Sequence, residues 1–160
     1  MENGKIRKLI KKDIPICIEI CKENFDILGY NWIDYVEQRF IESLNENNIA
    51  KLEFYVFEDD NIIKGVGGIV NSMFSGEIYG LINCYVSIGY QKLGIGKQLT
   101  EFRINRIKEL GGKVIFSDTQ KEWHLERFGF KTIESPFENW VLMQLNFNSF
   151  EKTECGGKNI

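Results

Sequence analysis

A glycine-containing turn is the part of the chain best suited to bind an anion. It consists of Gln91-Lys92-Leu93-Gly94-Ile95-Gly96-Lys97 and stands between an apolar strand pattern and an amphipathic helix pattern. A turn that enters a helix leaves several main-chain N–H groups unpaired at the positive end of the helix dipole. Such groups hold phosphate oxygens, and glycine lets the backbone approach the anion closely. The spacing therefore predicts a phosphate-binding turn.

Two better-known glycine motifs do not fit this turn. A dinucleotide-binding Rossmann turn requires a third glycine where Leu99 stands. A Walker P-loop requires lysine followed by serine or threonine where Ile95 and Gly96 stand. A second Gly-x-Gly, at residues 65–67, falls inside a strand pattern. Taken alone, the motif is therefore equally consistent with a loop that binds nothing.

The composition excludes several classes of protein. A chain of 160 residues, with 43% hydrophobic and 27% charged residues, is typical of one soluble globular domain. The net charge of −3 argues against sequence-independent nucleic-acid binding. Neither a membrane span nor a signal peptide is expected from the hydropathy pattern. Since Cys17 and Cys21 have no partner pair at ligand spacing, we expect no metal site, and free thiols in a reducing cytoplasm.

The hydrophobic periodicity predicts a mixed α/β domain with the order β-α-α-β-β-β-α-β-α-β-β. Asp13 is expected to cap the first helix. The polar tail, residues 148–160, is expected to be flexible, which leaves residues 1–147 as a single domain. Predicted strands lie near residues 5–10, 53–57, 62–70, 79–88, 113–117, 130–133 and 140–147, and predicted helices near 14–24, 32–44, 95–110 and 120–128.

A second motif, Trp123–Lys131, combines a short helix, a glycine C-cap and an immediate strand. With it, the chain resembles the GNAT superfamily of acyl-CoA-dependent N-acyltransferases over about residues 5–147. The resemblance implies a mixed, mostly antiparallel sheet of six to seven strands, with helices on both faces and a splayed central strand pair. The matching pieces, in order, are Ile6–Ile14, Val86-x-x-x-x-Gln91-x-x-Gly94-x-Gly96, Gly129-Phe130 and Trp140–Leu145.

The resemblance implies acetyl-CoA as co-substrate and no metal. The N–H groups of residues 93–97 would bind its pyrophosphate, and the pantetheine arm would lie along the central strand as an added strand. Lys92 or Lys97 would supply positive charge, unless both are solvated surface residues. Asp118 stands where the family often has an asparagine, and capping a turn is its alternative role. The expected cofactor-binding residues are Cys84, Val86, Ser87, Gln91, Lys92, Leu93, Gly94, Ile95, Gly96, Lys97 and Asp118.

Acyl transfer to an amine needs a deprotonated amine, a polarised thioester carbonyl and a protonated leaving thiolate. The helix tyrosine that usually protonates the thiolate in this family aligns with Leu125. The candidates that remain are His124, which is the only histidine, and Tyr90 as acids, and Glu77 as the base. Tyr85 also flanks the motif. The alternatives are a capping histidine, aromatic packing and a loop glutamate.

The resemblance thus implies direct transfer of an acetyl group to an amine of a small molecule or peptide. The alternative is a non-catalytic acyl-CoA-binding sensor or interaction module of the same fold. The acceptor is expected between the first two helices and the last hairpin. The sequence does not give the oligomeric state, and the resemblance is consistent with a homodimer because family members commonly dimerise. Candidate residues for lining the acceptor pocket, or for the core, are Trp32, Tyr35, Phe74 and Trp140.

Overall fold

The computed structural model describes residues 4–28, 32–72, 75–137 and 140–147. Its elements follow the predicted order, and the predicted tail lies outside the described residues. Among the residues described, no helix is long and apolar enough to cross a membrane. The elements are β1 Lys5–Lys8, a 3-10 turn Lys11–Asp13, α1 Ile14–Leu28, α2 Ile33–Glu42, β2 Leu52–Asp59, β3 Ile62–Asn71, β4 Ile78–Val86, a second 3-10 turn Ile88–Tyr90, α3 Ile95–Glu109, β5 Val114–Thr119, α4 Glu122–Glu126, β6 Lys131–Phe137 and β7 Trp140–Asn146.

Seven strands form one sheet in the order β1-β2-β3-β4-β5-β7-β6. Among the strands that the structure describes, only β4 and β5 pair in parallel, and α3 connects them. The mixed, mostly antiparallel sheet is therefore confirmed. The closing hairpin inserts β7 rather than β6 beside β5. Burial explains this order, because β7 contributes the buried Met143 whereas Lys131–Glu134 of β6 are exposed, as suits an edge strand.

Helices cover both faces of the sheet, as expected. The first core lies between the sheet and α1 and α2, and the second lies under α3 and α4. Cys17 and Cys21 face the first core and are fully buried. Burial raises the pKa of the Cys17 thiol to about 12 and also raises the pKa of Cys21. Both thiols are therefore protonated and pack as small apolar side chains.

Asp13 does not cap α1, so that prediction was wrong. It belongs to the 3-10 turn from which α1 continues directly, and its carboxylate accepts the Ile10 N–H at 3.0 Å. Arg7 donates to the same carboxylate at 2.6 and 3.1 Å and also pairs with Glu58 of β2. Burial alone would raise the pKa of Asp13, but the hydrogen bonds from Arg7 and Ile10 lower it. Asp13 therefore ties the start of α1 to β1 and β2.

Candidate active site

The two central strands separate partway along their length. β4 and β5 pair only where Ile78–Gly80 meets Val114–Phe116. Just beyond, the Ser117 hydroxyl donates to the Leu81 oxygen at 3.3 Å. No further register pair joins these two described strands, although β4 continues to Val86. An unpaired strand edge presents free N–H and C=O groups. The gap is therefore lined by main-chain groups of β4.

A bulge shapes β4 beside this gap. The register with β3 pairs Gly68 with Ile82 but Val66 with Tyr85, so Gly67 faces two residues of β4, Asn83 and Cys84. Asn83 adopts a left-handed φ of 45°. A bulge of this kind turns the strand and redirects its side chains. Cys84 is exposed at this point.

The predicted phosphate turn lies between β4 and α3, at the end of the gap. Lys92 and Gly94 have left-handed φ angles of 66° and 85°. The first intrahelical bond runs from the Gln98 N–H to the Gly94 oxygen at 3.0 Å. The N–H groups of residues 95–97 therefore have no intrahelical acceptor. A Cβ on Gly94 would meet no atom within 4 Å, so the helix start faces open space.

Two residues in the second half of α1 hold the turn against the sheet. The Val86 oxygen accepts hydrogen bonds from Gln91 Nε2 at 3.2 Å and from Asn24 Nδ2 at 3.1 Å. Gln91 Nε2 also lies 3.3 Å from Asn24 Oδ1. The carboxylate of Glu23 accepts the Ile88 N–H at 2.9 Å. The Gln91 amide is thus engaged inside the protein, and Asn24 and Glu23 are supporting residues that the sequence motif did not identify.

Tyr90 packs on a buried ion pair beneath the turn. Lys64 Nζ lies 2.6 Å from Asp59 Oδ2 and 4.7 Å from the centre of the Tyr90 ring. The main-chain oxygen of Lys64 accepts the Ser87 N–H at 3.0 Å. The Tyr90 ring thus makes a cation–π contact with the Lys64 ammonium, and this contact stabilises the start of the turn.

His124 contacts α3. Its Nε2 lies 3.1 Å from Thr100 Oγ1, which also accepts from Arg103 at 3.3 Å and donates to the Gly96 oxygen at 2.8 Å. Since the hydroxyl has one hydrogen and directs it to Gly96, His124 Nε2 acts as the donor. Burial, together with the charges of Arg127, Arg103 and Lys121, lowers the pKa of His124. The imidazole is therefore neutral at neutral pH.

Tyr85 is a candidate that the sequence interpretation assigned mainly to packing. The centre of its ring lies 5.2 Å from the centre of the Phe25 ring on α1. Its hydroxyl forms a hydrogen bond with the side chain of Asn83 at the bulge. Burial raises the pKa of Tyr85, and the carboxylate of Asp118 on β5 adds to this shift. Tyr85 therefore presents a neutral hydroxyl near the bulge. Leu125, at the position of the family's helix tyrosine, is 5% exposed and belongs to the second core.

Glu77 does not fit the base role expected from the sequence. It stands at the start of β4, where its carboxylate pairs with Lys113 Nζ at 2.6 Å. Cys84 lies seven positions further along the chain, about 23 Å away at the rise of an extended strand. It therefore cannot touch a group bound at the bulge. Asp118, by contrast, is an exposed residue of β5 beyond the point of divergence.

Of the aromatic residues expected around an acceptor, Trp32 and Tyr35 lie near each other at the start of α2. Their ring centres are 6.2 Å apart, and both side chains are more than half exposed. Trp140 is half-buried on β7. Phe74 lies outside the described residues. The two α2 aromatics are therefore surface residues and not part of the core.

The sequence model of the acetyltransferase (GNAT) domain matches residues 21–146. The chain belongs to this family. Solved GNAT structures share its fold, and none of the curated proteins compared matches its sequence.

Three similar structures cover nearly all of this GNAT chain. The PaiA N-acetyltransferase from Thermoplasma acidophilum, in complex with coenzyme A, superposes with a TM-score of 0.75 at 18% identity, over 91% of this chain and 99% of that one. The ribosomal-protein-S18-alanine N-acetyltransferase from Escherichia coli superposes with a TM-score of 0.71 at 16% identity, over 94% of this chain and 97% of that one. A GNAT family acetyltransferase from Brucella melitensis, in complex with acetyl-CoA, superposes with a TM-score of 0.70 at 18% identity, over 92% of this chain and 90% of that one. At these identities the likeness establishes the fold.

Proposed function

We propose that this GNAT protein transfers an acetyl group from acetyl-CoA to an amine of a small molecule or peptide. The observation that carries the proposal is the unpaired edge of β4, which leads directly into the open N-terminus of α3. The strand edge can pair with an extended chain that carries amide groups, and the helix N-terminus can bind a diphosphate. Two of the similar structures hold coenzyme A or acetyl-CoA, which supports the same donor here.

The described residues fit this donor. The N–H groups of Ile95–Lys97 would hold the diphosphate, and the exposed Lys92 and Lys97 side chains would add positive charge. From Val86 back to Leu81 the strand edge extends about 17 Å, which accommodates the pantetheine arm as an added strand. The Val86 oxygen already accepts two hydrogen bonds. The Ser87 N–H and oxygen are engaged too, with Lys64 and Tyr90, so the Cys84 main-chain groups are the better partners for pantetheine.

Acetyl-CoA, when bound, supplies the activated acyl group, and the chain has to orient the amine against it. Main-chain N–H groups at the bulge would polarise the thioester carbonyl. The neutral Tyr85 hydroxyl would hydrogen-bond the incoming amine on the face covered by α1. Holding both reactants together is itself a large rate effect. The C–S bond of the thioester breaks as the C–N bond forms, the amine proton passes to water, and the leaving CoA thiolate takes a proton from water.

The second candidate function is acyl-CoA binding without catalysis. The buried Leu125 favours it, because no tyrosine stands at the family's usual proton-donor position. Calorimetry with acetyl-CoA tests binding, and thiol release with polyamines, aminoglycosides, amino acids and peptide N-termini tests transfer. Binding with amine-dependent thiol release supports the transferase. Binding without release by any acceptor supports the sensor, and no heat at high micromolar acetyl-CoA contradicts both.

A further inference from the structure

Arg103 of α3 places a guanidinium inside the protein. The residue is 2% exposed. Its Nε donates to the Leu99 oxygen at 3.1 Å, its Nη1 to the Gly68 and Ile82 oxygens at 3.0 and 3.2 Å, and its Nη2 to the Thr100 hydroxyl at 3.3 Å. In the part of the chain that the structure describes, no ion pair includes Arg103. The four hydrogen-bond acceptors around this buried charge are all neutral.

Two of these acceptors flank the β4 bulge. Gly68 and Ile82 are register partners immediately before the shift that creates the bulge. A Cβ on Gly67 would lie 3.0 Å from Arg103 Nε and 3.1 Å from its Cζ, so the guanidinium fills the space that this glycine leaves. A bulge disrupts the ladder locally, and buried carbonyls near it need another donor. Nη1 of Arg103 provides that donor to both strands at once.

We propose that Arg103 is a positioning residue for acyl transfer, which fixes the β4 bulge and with it the strand edge that faces the thioester. The proposal rests on the proposed function. An apolar side chain can fill the volume but leaves both carbonyls without a donor. A lysine keeps the charge but lacks the planar fork that reaches two carbonyls together. Arg103 touches no reactant, and it acts through Gly68 and Ile82.

The charge of Arg103 has a second effect at the same place. A fixed cation in a buried site favours negative charge that develops nearby, and the thioester oxygen gains such charge during transfer. The same guanidinium, through Thr100, is connected to His124. Its replacement therefore alters both the shape of the bulge and the electrostatics of the gap.

The test compares Arg103→Met and Arg103→Lys with Arg106→Met as a matched control. Arg106 lies three residues along the same helix and binds Glu53 and Tyr55 of β2 instead of the bulge. For Arg103→Met we expect kcat to fall about 100-fold, the scale of a displacement of about 1 Å at the reacting atoms. For Arg103→Lys, which loses a hydrogen bond, we expect a loss of about tenfold.

The affinity for CoA separates positioning from general damage. Because the α3 N-terminus is untouched, the Kd of CoA should change much less than kcat in both Arg103 variants. Arg106→Met should lower the melting temperature and leave kcat near wild type. The proposal is overturned if Arg103→Met retains wild-type kcat or loses no more than Arg106→Met. If Arg103→Met does not fold, a wild-type kcat in Arg103→Lys overturns it.

A wild-type protein that binds acetyl-CoA but turns over no acceptor would contradict the proposed function and leave the role of Arg103 to be tested separately. The readout is then the ratio of the Kd values for acetyl-CoA and CoA, which reports the acyl group alone. We expect Arg103→Met, or Arg103→Lys if the former does not fold, to change this ratio and Arg106→Met to preserve it. A ratio that no Arg103 variant changes overturns the proposal.

Discussion

The side-chain amide of Gln91 donates a hydrogen bond to the main-chain oxygen of Val86 at 3.2 Å. This contact joins the phosphate turn to the last residue of β4, and Asn24 of α1 donates to the same oxygen at 3.1 Å. The turn and the strand edge are thereby held as one unit. A cofactor that spans both would find their relative positions set before it binds, which reduces the ordering cost of binding.

Removal of the Gln91 amide should weaken CoA binding without unfolding the protein. For Gln91→Ala we expect the Kd of CoA to rise about fivefold, since one ordinary hydrogen bond contributes about 1 kcal/mol. Calorimetry measures this change. Gln98→Ala is the control. It alters an exposed side chain of α3, the helix that follows the turn, and should bind CoA normally. An unchanged Kd in Gln91→Ala would show that Asn24 alone holds the turn.

Gly94 and Gly111 form a matched pair for testing the anion site. Their φ angles are 85° and 83°, and a Cβ on either would meet no atom within 4 Å. Each alanine variant should therefore lose about 1 kcal/mol of unfolding free energy from backbone strain alone. Only Gly94→Ala should also weaken CoA binding, because its methyl group lies where the diphosphate approaches. Urea denaturation and calorimetry check the two effects, and equal CoA affinity in both variants would contradict the site.

The Tyr85 hydroxyl should matter for turnover more than for stability. Tyr85→Phe keeps the ring against Phe25 and removes only the group bonded to Asn83. We expect kcat to fall at least about tenfold, below the range of about 100-fold or more seen for a full acid–base catalyst. Tyr79→Phe, on the same strand but in the second core, should leave kcat unchanged. Equal steady-state rates in the two variants would exclude a role for Tyr85 in transfer.

His124 should make stability fall in mild acid. Its pKa in the folded protein lies below the ordinary value of 6.5. Between these two values the unfolded chain binds a proton that the folded chain does not. The contribution of His124 to the unfolding free energy is therefore complete above about pH 6.5. It decreases as the pH falls from there through the pKa of His124 in the folded protein. His124→Gln removes this contribution, which urea denaturation at pH 7.5 and 5.5 can measure. An identical pH dependence in the variant would contradict the assignment.

The buried Lys64–Asp59 pair should contribute far more to stability than an exposed pair of similar length. Asp59→Asn leaves an ammonium that is 5% exposed without its carboxylate, which should cost about 3 kcal/mol of unfolding free energy. Glu19→Gln removes a partner from the Lys22–Glu19 pair, whose side chains are 47% and 61% exposed, and should cost less than about 1 kcal/mol. Equal losses in urea denaturation would show that burial does not strengthen the dependence of Lys64 on Asp59.

The elements set by local chemistry were predictable from the sequence. The hairpin after β2 turns at Asp60 and Asn61, whose left-handed φ angles of 49° and 61° suit these residue types. The candidate phosphate turn was predicted in the same way, since the positions of Gly94 and of the start of α3 follow from neighbouring residues. The order of elements and both helix-covered faces also follow from periodicity.

The surroundings of the candidate catalytic residues depend on partners far away in the chain, so only the tertiary structure decided them. Glu77 precedes β4 and the bulge lies in the second half of that strand, and only the structure shows that the Glu77 carboxylate pairs with Lys113. The bulge at Asn83 exists because of its register with β3, and Arg103 supports it from a helix that begins later in the chain. The sequence determined where the candidate anion site lies, because a turn and a helix start are local. The surroundings of Tyr85 and Arg103 came from strand pairing and burial, which are properties of the whole sheet.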